Sequence, residues 1–494
     1  MRLLKLLYPF LFSISIIAVV MLSGCDNDDD VIPTPVPTGN SETYTLSEVG
    51  GSSVSGTAEI IENDDNSVTV ELNLNGTPNG GMHPAHIHFN SAAEGGGIAI
   101  SLGTVDGSTG ESTITFSSLD DGTAITYSEL LDFDGYINVH LSQSEMTTIV
   151  AQGDIGENEL TGTSKSYTLQ EREVEGISGE IVFSERVNGE ALAVISLTGT
   201  PADGEHPAHI HNNTAAEGGG IAFSFNPVNG ATGMSKTNVA ALDEGTPFGF
   251  VDVLAFDGYV NVHLAPDDFS TIVAQGDIGE NELTGESKTY PLEERAVDGI
   301  SGEIVFSERV NGDAEAVISL IGTPEAGEHP AHIHVNTAAE GGGVVLTFNS
   351  VDGLSGMSRS NVDTLDDGTS FGYADVLAYD GYVNVHLSLA EIGTIVAQGD
   401  IGVNELTGTS KTYPLSEKDV AGISGDVVFS ERVNGEALAV ISLNGTPEGG
   451  EHPAHIHMNS AAEGGDIVFT FNTGCPEQML LCWMMIRHLD IAMC

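Results

Sequence analysis

The hexapeptide His-Pro-Ala-His-Ile-His occurs four times at a constant spacing of 123 residues, and this repeat constrains the fold more than any other feature. A tyrosine opens each repeat at the same spacing, at Tyr44, Tyr167, Tyr290 and Tyr413. Solenoid repeats of roughly 20–45 residues need their neighbours in order to fold, whereas about 120 residues is the size of an autonomous domain. The chain is therefore predicted to be a string of similar domains.

The spacing divides the chain into a leader, four repeats and a tail. Three repeats are complete, and the fourth follows the pattern only as far as Asn472. The predicted segments are a lipoprotein signal peptide at 1–24, an acidic and proline-rich tether at 25–41, repeats at 42–166, 167–289 and 290–412, a truncated repeat at 413–472, and a tail at 473–494.

The tail departs from the repeat in a way that codon arithmetic explains. Trp and Met have one codon each, so a shift of one base converts Trp483-Met484-Met485-Ile486 into Leu-Asp-Asp-Asp. The third repeat has Leu365-Asp366-Asp367 at the equivalent place. We therefore predict a frameshift near residue 473, in the gene or in its sequencing.

Short apolar runs between Gly, Asn and Asp clusters predict strands. In the second repeat these runs are 177–187, 191–197, 221–225, 259–264 and 271–278. The Asn188-Gly189 pair favours a type I′ hairpin turn. Only 248–255 is predicted to form a helical turn. About eight strands in some 120 residues favour an all-β fold of tandem Greek-key sandwich or barrel domains, three complete and one truncated.

The charge balance limits the partners of the chain. There are 72 acidic and 14 basic side chains, and the formal net charge is −58. A nucleic acid partner is excluded, because phosphate binding needs Lys and Arg to displace counterions. Anionic substrates are also disfavoured, since the field of the protein repels them.

The first residues resemble a lipoprotein signal. Arg2 and Lys5 precede an apolar stretch over 6–21, which ends in Leu22-Ser23-Gly24-Cys25, a sequence similar to a bacterial lipobox. We expect lipid on Cys25 to anchor the protein in a membrane. The expected location is the outer membrane or cell surface of a Gram-negative bacterium, where an extracellular protein or polysaccharide is the expected ligand. The alternative is an ordinary secretory signal with a chance cysteine.

Histidines are concentrated in two motifs of each repeat. Of the 16 His, 15 lie in these motifs, at the hexapeptide and at the end of a Tyr-(Ile/Val)-Asn-Val-His string. Because residues two apart share one face of a strand, His86 and His88 point to the side opposite Ile87. His140 shares a face with Asn138 in the second string. Both strands are thus predicted to turn imidazole away from an apolar core.

Several imidazoles on adjacent strands suit copper or zinc. The candidate ligands are His83, His86, His88 and His140 in repeat 1, His206, His209, His211 and His263 in repeat 2, and His329, His332, His334 and His386 in repeat 3. The alternative is a hydrogen-bonded cluster that holds a loop. Calcium is a weaker candidate, because loops such as 120–122, 132–135 and 154–157 are acidic but lack the spaced EF-hand pattern.

The motifs resemble the chordin-type (CHRD) domain found in bacterial exported proteins. The resemblance rests on His-Pro-Ala-His-Ile-His, on the Ala-Ala-Glu-Gly-Gly string at 92–96 and on Gly-Tyr-Ile-Asn-Val-His at 135–140, and it covers nearly all of residues 42–471. It implies an immunoglobulin-like β-barrel related to copper/zinc superoxide dismutases, with no established activity. The Arg-Gly-Gln-Ile string of the family is Gln-Gly-Asp-Ile at 152–155 in this chain.

The dismutase similarity implies a partial copper site. His86 and His88 resemble paired copper ligands, and His140 resembles the late copper ligand, but no His matches the bridging ligand or the remaining zinc ligands. Three functions remain open: a binding or structural array with bound metal, a dismutase-like copper enzyme, and a calcium-stiffened adhesin stalk.

Overall fold

The computed structural model describes residues 34–447, 451–471 and 482–486. The predicted signal peptide, Cys25, the first part of the tether and most of the tail lie outside the described residues. The repeats are called units 1 to 4 below. In the described residues, no helix is long and apolar enough to span a lipid bilayer.

Unit 1 is a closed, antiparallel β-barrel. Its elements are β1 (Pro37–Glu48), β2 (Ser55–Asn63), β3 (Val68–Asn75), β4 (Met82–Phe89), β5 (Ile98–Asp106), β6 (Glu111–Phe116), α1 (Tyr127–Leu131), β7 (Asp134–His140) and β8 (Ile149–Gly156). The strand order is β1-β2-β3-β6-β5-β4-β7-β8. Because β3 pairs with β6 and β4 with β7, the connections are those of a Greek key.

Units 2 and 3 have the same pairing of corresponding strands, but the strands of the β4–β5 hairpin are interrupted, and each unit forms a ten-stranded sheet. Unit 2 comprises β9 (Leu160–Glu171), β10 (Ser178–Arg186), β11 (Ala191–Thr198), β12 (Glu205–His206), β13 (Ala208–Asn212), β14 (Ile221–Ser224), β15 (Val228–Asn229), β16 (Met234–Val239), α2 (Phe250–Leu254), β17 (Asp257–Ala265) and β18 (Asp268–Gly279). Unit 3 comprises β19 (Leu283–Glu294), β20 (Ser301–Arg309), β21 (Ala314–Ile321), β22 (Glu328–His329), β23 (Ala331–Val335), β24 (Val344–Thr347), β25 (Val351–Asp352), β26 (Met357–Val362), α3 (Tyr373–Ala378), β27 (Asp380–His386) and β28 (Ile395–Gly402).

Unit 4 retains part of the pattern. Its strands are β29 (Leu406–Leu415), β30 (Ser424–Arg432), β31 (Ala437–Asn444), β32 (His455–His457), β33 (Ile467–Thr470) and β34 (Cys482–Ile486). They form one sheet of four strands and one of two. The all-β prediction with several barrel or sandwich domains is confirmed.

Each complete unit has its own apolar core inside the barrel. In unit 1 the core side of β4 and β7 carries Ala85, Ile87, Ile137 and Val139, all fully buried. This alternation follows from the two-residue period of a strand. The helical turn predicted at 248–255 is confirmed as α2.

Two sequence expectations change in detail. The 188–189 hairpin forms, but only Gly189 has a positive φ, of 84°, so the turn is not type I′, which needs positive φ at both central residues. Gly189 N instead donates to Arg186 O, which makes a longer loop. The units also meet earlier than the predicted boundary at 167, because β9 of unit 2 already begins at Leu160.

Candidate metal centre

Two neighbouring strands bring the histidine motifs of each unit together. In unit 1, β4 pairs with β7 so that His86 lies opposite Asn138 and His88 opposite Tyr136. His140 lies two residues beyond Asn138 on the same face. The two motifs are about 50 residues apart in sequence, and the Greek-key crossover makes them adjacent.

Three imidazoles converge in each complete unit, and we call each set a histidine triad. The ligand atoms of a triad all lie within 4.8 Å of one another. In unit 1 the ring centroids are 5.1 Å apart for His86 and His140, 5.9 Å for His86 and His88, and 6.2 Å for His88 and His140. The triads are His86, His88 and His140; His209, His211 and His263; and His332, His334 and His386.

The triads can hold a metal ion. A metal–nitrogen distance of about 2.0–2.1 Å places two nitrogens about 3.3–3.6 Å apart in tetrahedral or trigonal coordination. Small ring rotations therefore suffice to close each triad on one ion. The donor set, three neutral nitrogens, is compatible with copper or zinc.

The triad imidazoles are buried although they lie opposite the core. His86, His88 and His140 are 9 %, 8 % and 5 % exposed. The prediction that they face away from the core is correct, but that face is largely inaccessible to solvent in units 1 and 2, and in unit 3 His332 is half-buried. Each ring nitrogen in this position needs a partner, because a buried polar atom without one is destabilising.

Several triad nitrogens have no protein partner. In unit 1 these atoms include His86 Nδ1 and His88 Nε2, whereas His140 also interacts with the backbone of Met146. The Nδ1 of His88 donates to Gly96 O at 3.0 Å, so the Nε2 of His88 carries a free lone pair. A carbonyl that accepts from one nitrogen commonly orients the other nitrogen toward a metal.

Burial favours the neutral form of several triad histidines. It lowers the pKa of His86, and the neighbouring His140 and His88 lower it further. Burial also lowers the pKa of His140 and His263. In unit 2 the pKa of His209 falls to about 4, mainly through burial and then through His263 and His211. Neutral imidazoles are the form that binds a metal.

A loop that follows β4 supplies the carbonyl partner, and we call residues 90–97, 213–220 and 336–343 the site loops. In unit 1, Asn90 has a φ of 65° and donates from its side chain to Gly95 O. A side chain at Gly96 would clash with the carbonyl of Phe89, which explains the glycine there. The hydroxyl oxygen of Tyr136 accepts a hydrogen bond from Gly96 N. The tyrosine ring stacks on the His88 ring, with the ring centroids 5.0 Å apart.

The residue above the triad differs between units. In unit 2 the ring of Phe269 lies 5.6 Å from His209 and 5.1 Å from His263. The repeat places Met146 and Ile392 at the equivalent positions. Sequence reasoning missed these residues, because they lie in the variable loop after the Asn-Val-His string.

The first histidine of each hexapeptide lies outside the triad. His83 is buried, and its Nδ1 donates to the backbone oxygen of His140 at 3.3 Å. His329 makes the same contact with His386 at 3.2 Å. His206 is equally buried, and neither ring nitrogen has a partner. His83 and His329 therefore support the strand that carries the third triad histidine, and none of the three residues belongs to a triad.

Unit 4 brings only two imidazoles together in the described residues. His455 and His457 have ring centroids 5.9 Å apart and are partly or fully exposed. The two rings are arranged like the hexapeptide histidines of the complete units, but among the described residues no third histidine joins them.

The acidic loops considered for calcium are engaged by protein donors. Asp120 accepts from Ser101, Asp121 from Thr123 N and Asp134 from Asn158. Asp154 accepts from Ala92 N and from Arg186. Within the described ranges, the groups of three or more metal-binding side chains are the histidine triads.

Comparison of the chain with known families, curated proteins and solved structures finds no family model, protein or structure that matches it.

Proposed function

We propose that the chain is an array of metal-binding β-barrel domains in which each complete unit binds one copper or zinc ion. The observation that carries the proposal is the convergence of three largely buried imidazoles within ligating distance of one another, with nitrogens such as His86 Nδ1 and His88 Nε2 that lack a protein partner. An ion would satisfy those nitrogens. In a purely structural cluster, every buried imidazole nitrogen would instead be expected to have a protein partner.

The donor set favours copper over zinc. Affinity for nitrogen ligands peaks at Cu²⁺ in the divalent series. The charge of −58 also raises the local concentration of cations near the protein. Three ions per chain are expected, one for each triad.

The proposal includes a location. The lipobox-like sequence that ends at Cys25 supports a lipid anchor, and the acidic residues after it support a surface-exposed tether. The resemblance to the CHRD domain supports an exported protein that binds an extracellular protein or polysaccharide. The array would then hold its metal ions outside the cell membrane.

We do not extend the proposal to dismutase catalysis or to a calcium-stiffened stalk. Each triad provides three imidazoles, and no histidine matches the bridging ligand or the remaining zinc ligands of the dismutases. The negative net charge of the chain also repels the superoxide anion. Asp121, Asp134 and Asp154, in the loops considered for calcium, already accept hydrogen bonds from the protein.

Metal stoichiometry tests the proposal. The whole chain is dialysed against Cu²⁺, then against buffer, and its copper is measured by mass spectrometry. We expect three ions for the wild type and two for His86→Ala. His457→Ala, in the incomplete unit 4, is the matched control and should still bind three. Equal copper content in the wild type and His86→Ala would contradict the proposal.

A further inference from the structure

A buried arginine recurs in every unit that follows another unit. Arg186, Arg309 and Arg432 occupy equivalent positions at the end of β10, β20 and β30, and their side chains are fully buried. Unit 1 has Asn63 at this position. Arginine is rarely buried without a charged partner, so its presence only in units 2 to 4 points to a role at the junctions.

Each arginine binds the preceding unit. Arg186 Nη1 contacts Asp154 Oδ2 of unit 1 at 2.8 Å, and it also donates to the backbone oxygen of Asn158. The same contacts recur at the next two junctions. Arg309 reaches Asp277 at 2.6 Å, and Arg432 reaches Asp400 at 2.7 Å. These pairs are shielded from water, because the arginine side chains are inaccessible and the aspartates are 10–15 % exposed.

The second carboxylate oxygen of each aspartate accepts a hydrogen bond from the site loop of the aspartate's own unit, which is the unit before the one that carries the arginine. Asp154 Oδ1 accepts from Ala92 N at 2.7 Å. Asp277 accepts from Ala215 N and Asp400 from Ala338 N, both at 2.8 Å. These aspartates stand in the Gln-Gly-Asp-Ile string, which has Asp where the CHRD family has Gln.

The same loop ends at the carbonyl that orients a triad histidine. In unit 2, His211 Nδ1 donates to Gly219 O at 3.0 Å, and in unit 3 His334 Nδ1 donates to Gly342 O at 3.0 Å. A continuous path therefore runs from the arginine of one unit, through the aspartate and the site loop, to a histidine of the unit before it.

A second contact joins the next unit to the same loop. Asn226 Nδ2 of unit 2 donates to Ala93 O at 3.4 Å, and Asn349 Nδ2 of unit 3 donates to Ala216 O at 3.1 Å. Unit 1 has Gly103 at this position. Both junction residues are thus absent from unit 1.

We propose that the buried arginine docks each unit rigidly to the preceding one and, through the aspartate and the site loop, positions a triad histidine there. The positioning half rests on the proposed metal function, whereas the docking half does not. Unit 4, although incomplete, then acts as a cap for unit 3, because Arg432 completes the Asp400 junction. The units then form a rigid array rather than domains that move independently.

The test uses the whole chain, with the triads of units 1 and 3 removed by His86→Ala and His332→Ala. In this background only unit 2 retains a triad, and Arg309 is the arginine that contacts unit 2 from unit 3. The variant is Arg309→Asn, which introduces the residue that unit 1 carries naturally. Lys165→Met is the matched control, because Lys165 on β9 forms a partly exposed ion pair at 2.6 Å with Glu282, which lies in the turn before β19.

Three measurements separate docking from positioning. Hydrogen exchange of the peptide 213–219 without metal reports the site loop, and a Cu²⁺ titration reports the affinity of the triad. We expect faster exchange in Arg309→Asn and an affinity about 10–100-fold weaker, as is typical when the partner that orients a metal ligand is lost. Small-angle X-ray scattering should show a more flexible chain. Lys165→Met should behave like the background chain in all three measurements.

The outcomes are distinguishable. Unchanged loop exchange and scattering in Arg309→Asn would overturn the docking. Faster exchange with unchanged copper affinity would overturn the positioning and leave the metal function intact. Absence of copper binding in the background chain, with faster exchange in the variant, would overturn the metal function and the positioning but not the docking. If Arg309→Asn does not fold, Arg309→Lys keeps the charge without the planar fork and should show a smaller change in the same direction.

Discussion

Acidification should destabilise unit 2 of the metal-free protein through its triad. His209 has a pKa of about 4 in the folded chain and about 6.5 when unfolded. Below pH 6.5 the unfolded state therefore binds more protons than the folded state, and stability falls as the pH drops. His209 is only 7 % exposed, so solvent screens this difference weakly.

The magnitude follows from the two pKa values. At pH 5 the unfolded imidazole is almost fully protonated and the folded one is mostly neutral, so the loss relative to pH 7 is about 2 kcal/mol. At pH 4 the loss approaches about 3 kcal/mol. The pH window from 7 to 5 is the useful one, because most carboxylates remain ionised there.

Hydrogen exchange at increasing guanidinium concentration measures the free energy of unfolding of unit 2 separately from the other units. The measurement is made with a chelator, at pH 7 and pH 5, on the wild type and on His209→Gln. We expect the wild type to lose about 2 kcal/mol more than the variant over this window. The exposed His457, replaced by Gln, is the control and should follow the wild type. An equal loss in the wild type and His209→Gln would refute the reasoning.

Three further predictions concern packing, access to the site and the anchor. Ile210→Ala should lower the free energy of unfolding of unit 2 by about 2–5 kcal/mol, because Ile210 is fully buried, whereas Ile221→Ala, at a residue 49 % exposed, should change it much less; denaturant titration distinguishes them. Phe269→Ala should speed the loss of copper from unit 2 to a chelator by roughly 2–10-fold, since an aromatic contact contributes about 0.5–1.5 kcal/mol, and an unchanged rate would show that the ring does not cover the site. Cys25→Ser should release the protein from membranes on fractionation, and retention of this variant would contradict the lipid anchor.

Local chemistry explains what could be predicted. The 123-residue repeat indicated four units, and the two-residue period of strands placed His86 and His88 opposite Ile87. The same period placed His140 on the polar face of its own strand. Gly and Asn in the turns indicated short strands, and the structure has them. These properties depend on neighbours in sequence, so the sequence carries them directly.

Contacts between distant residues were decided only by the tertiary structure. The Greek-key crossover puts β7 beside β4, and this pairing brings His140 to within 5.1 Å of His86. The packing around the outer face decides that the triad is buried, and this burial lowers the pKa of His86 and His140. No local pattern predicts either, because strand order depends on how the whole barrel closes.

The junctions show the same limit most clearly. Arg186 lies in a hairpin whose sequence predicts only a turn, and the Gln-Gly-Asp-Ile string around Asp154 had no assigned role. One clue was present, since Asn63 replaces the arginine only in the unit without a predecessor. Its meaning depends on the docking of two domains, which buries Arg186 against Asp154 and so requires a charge pair that neither domain needs by itself.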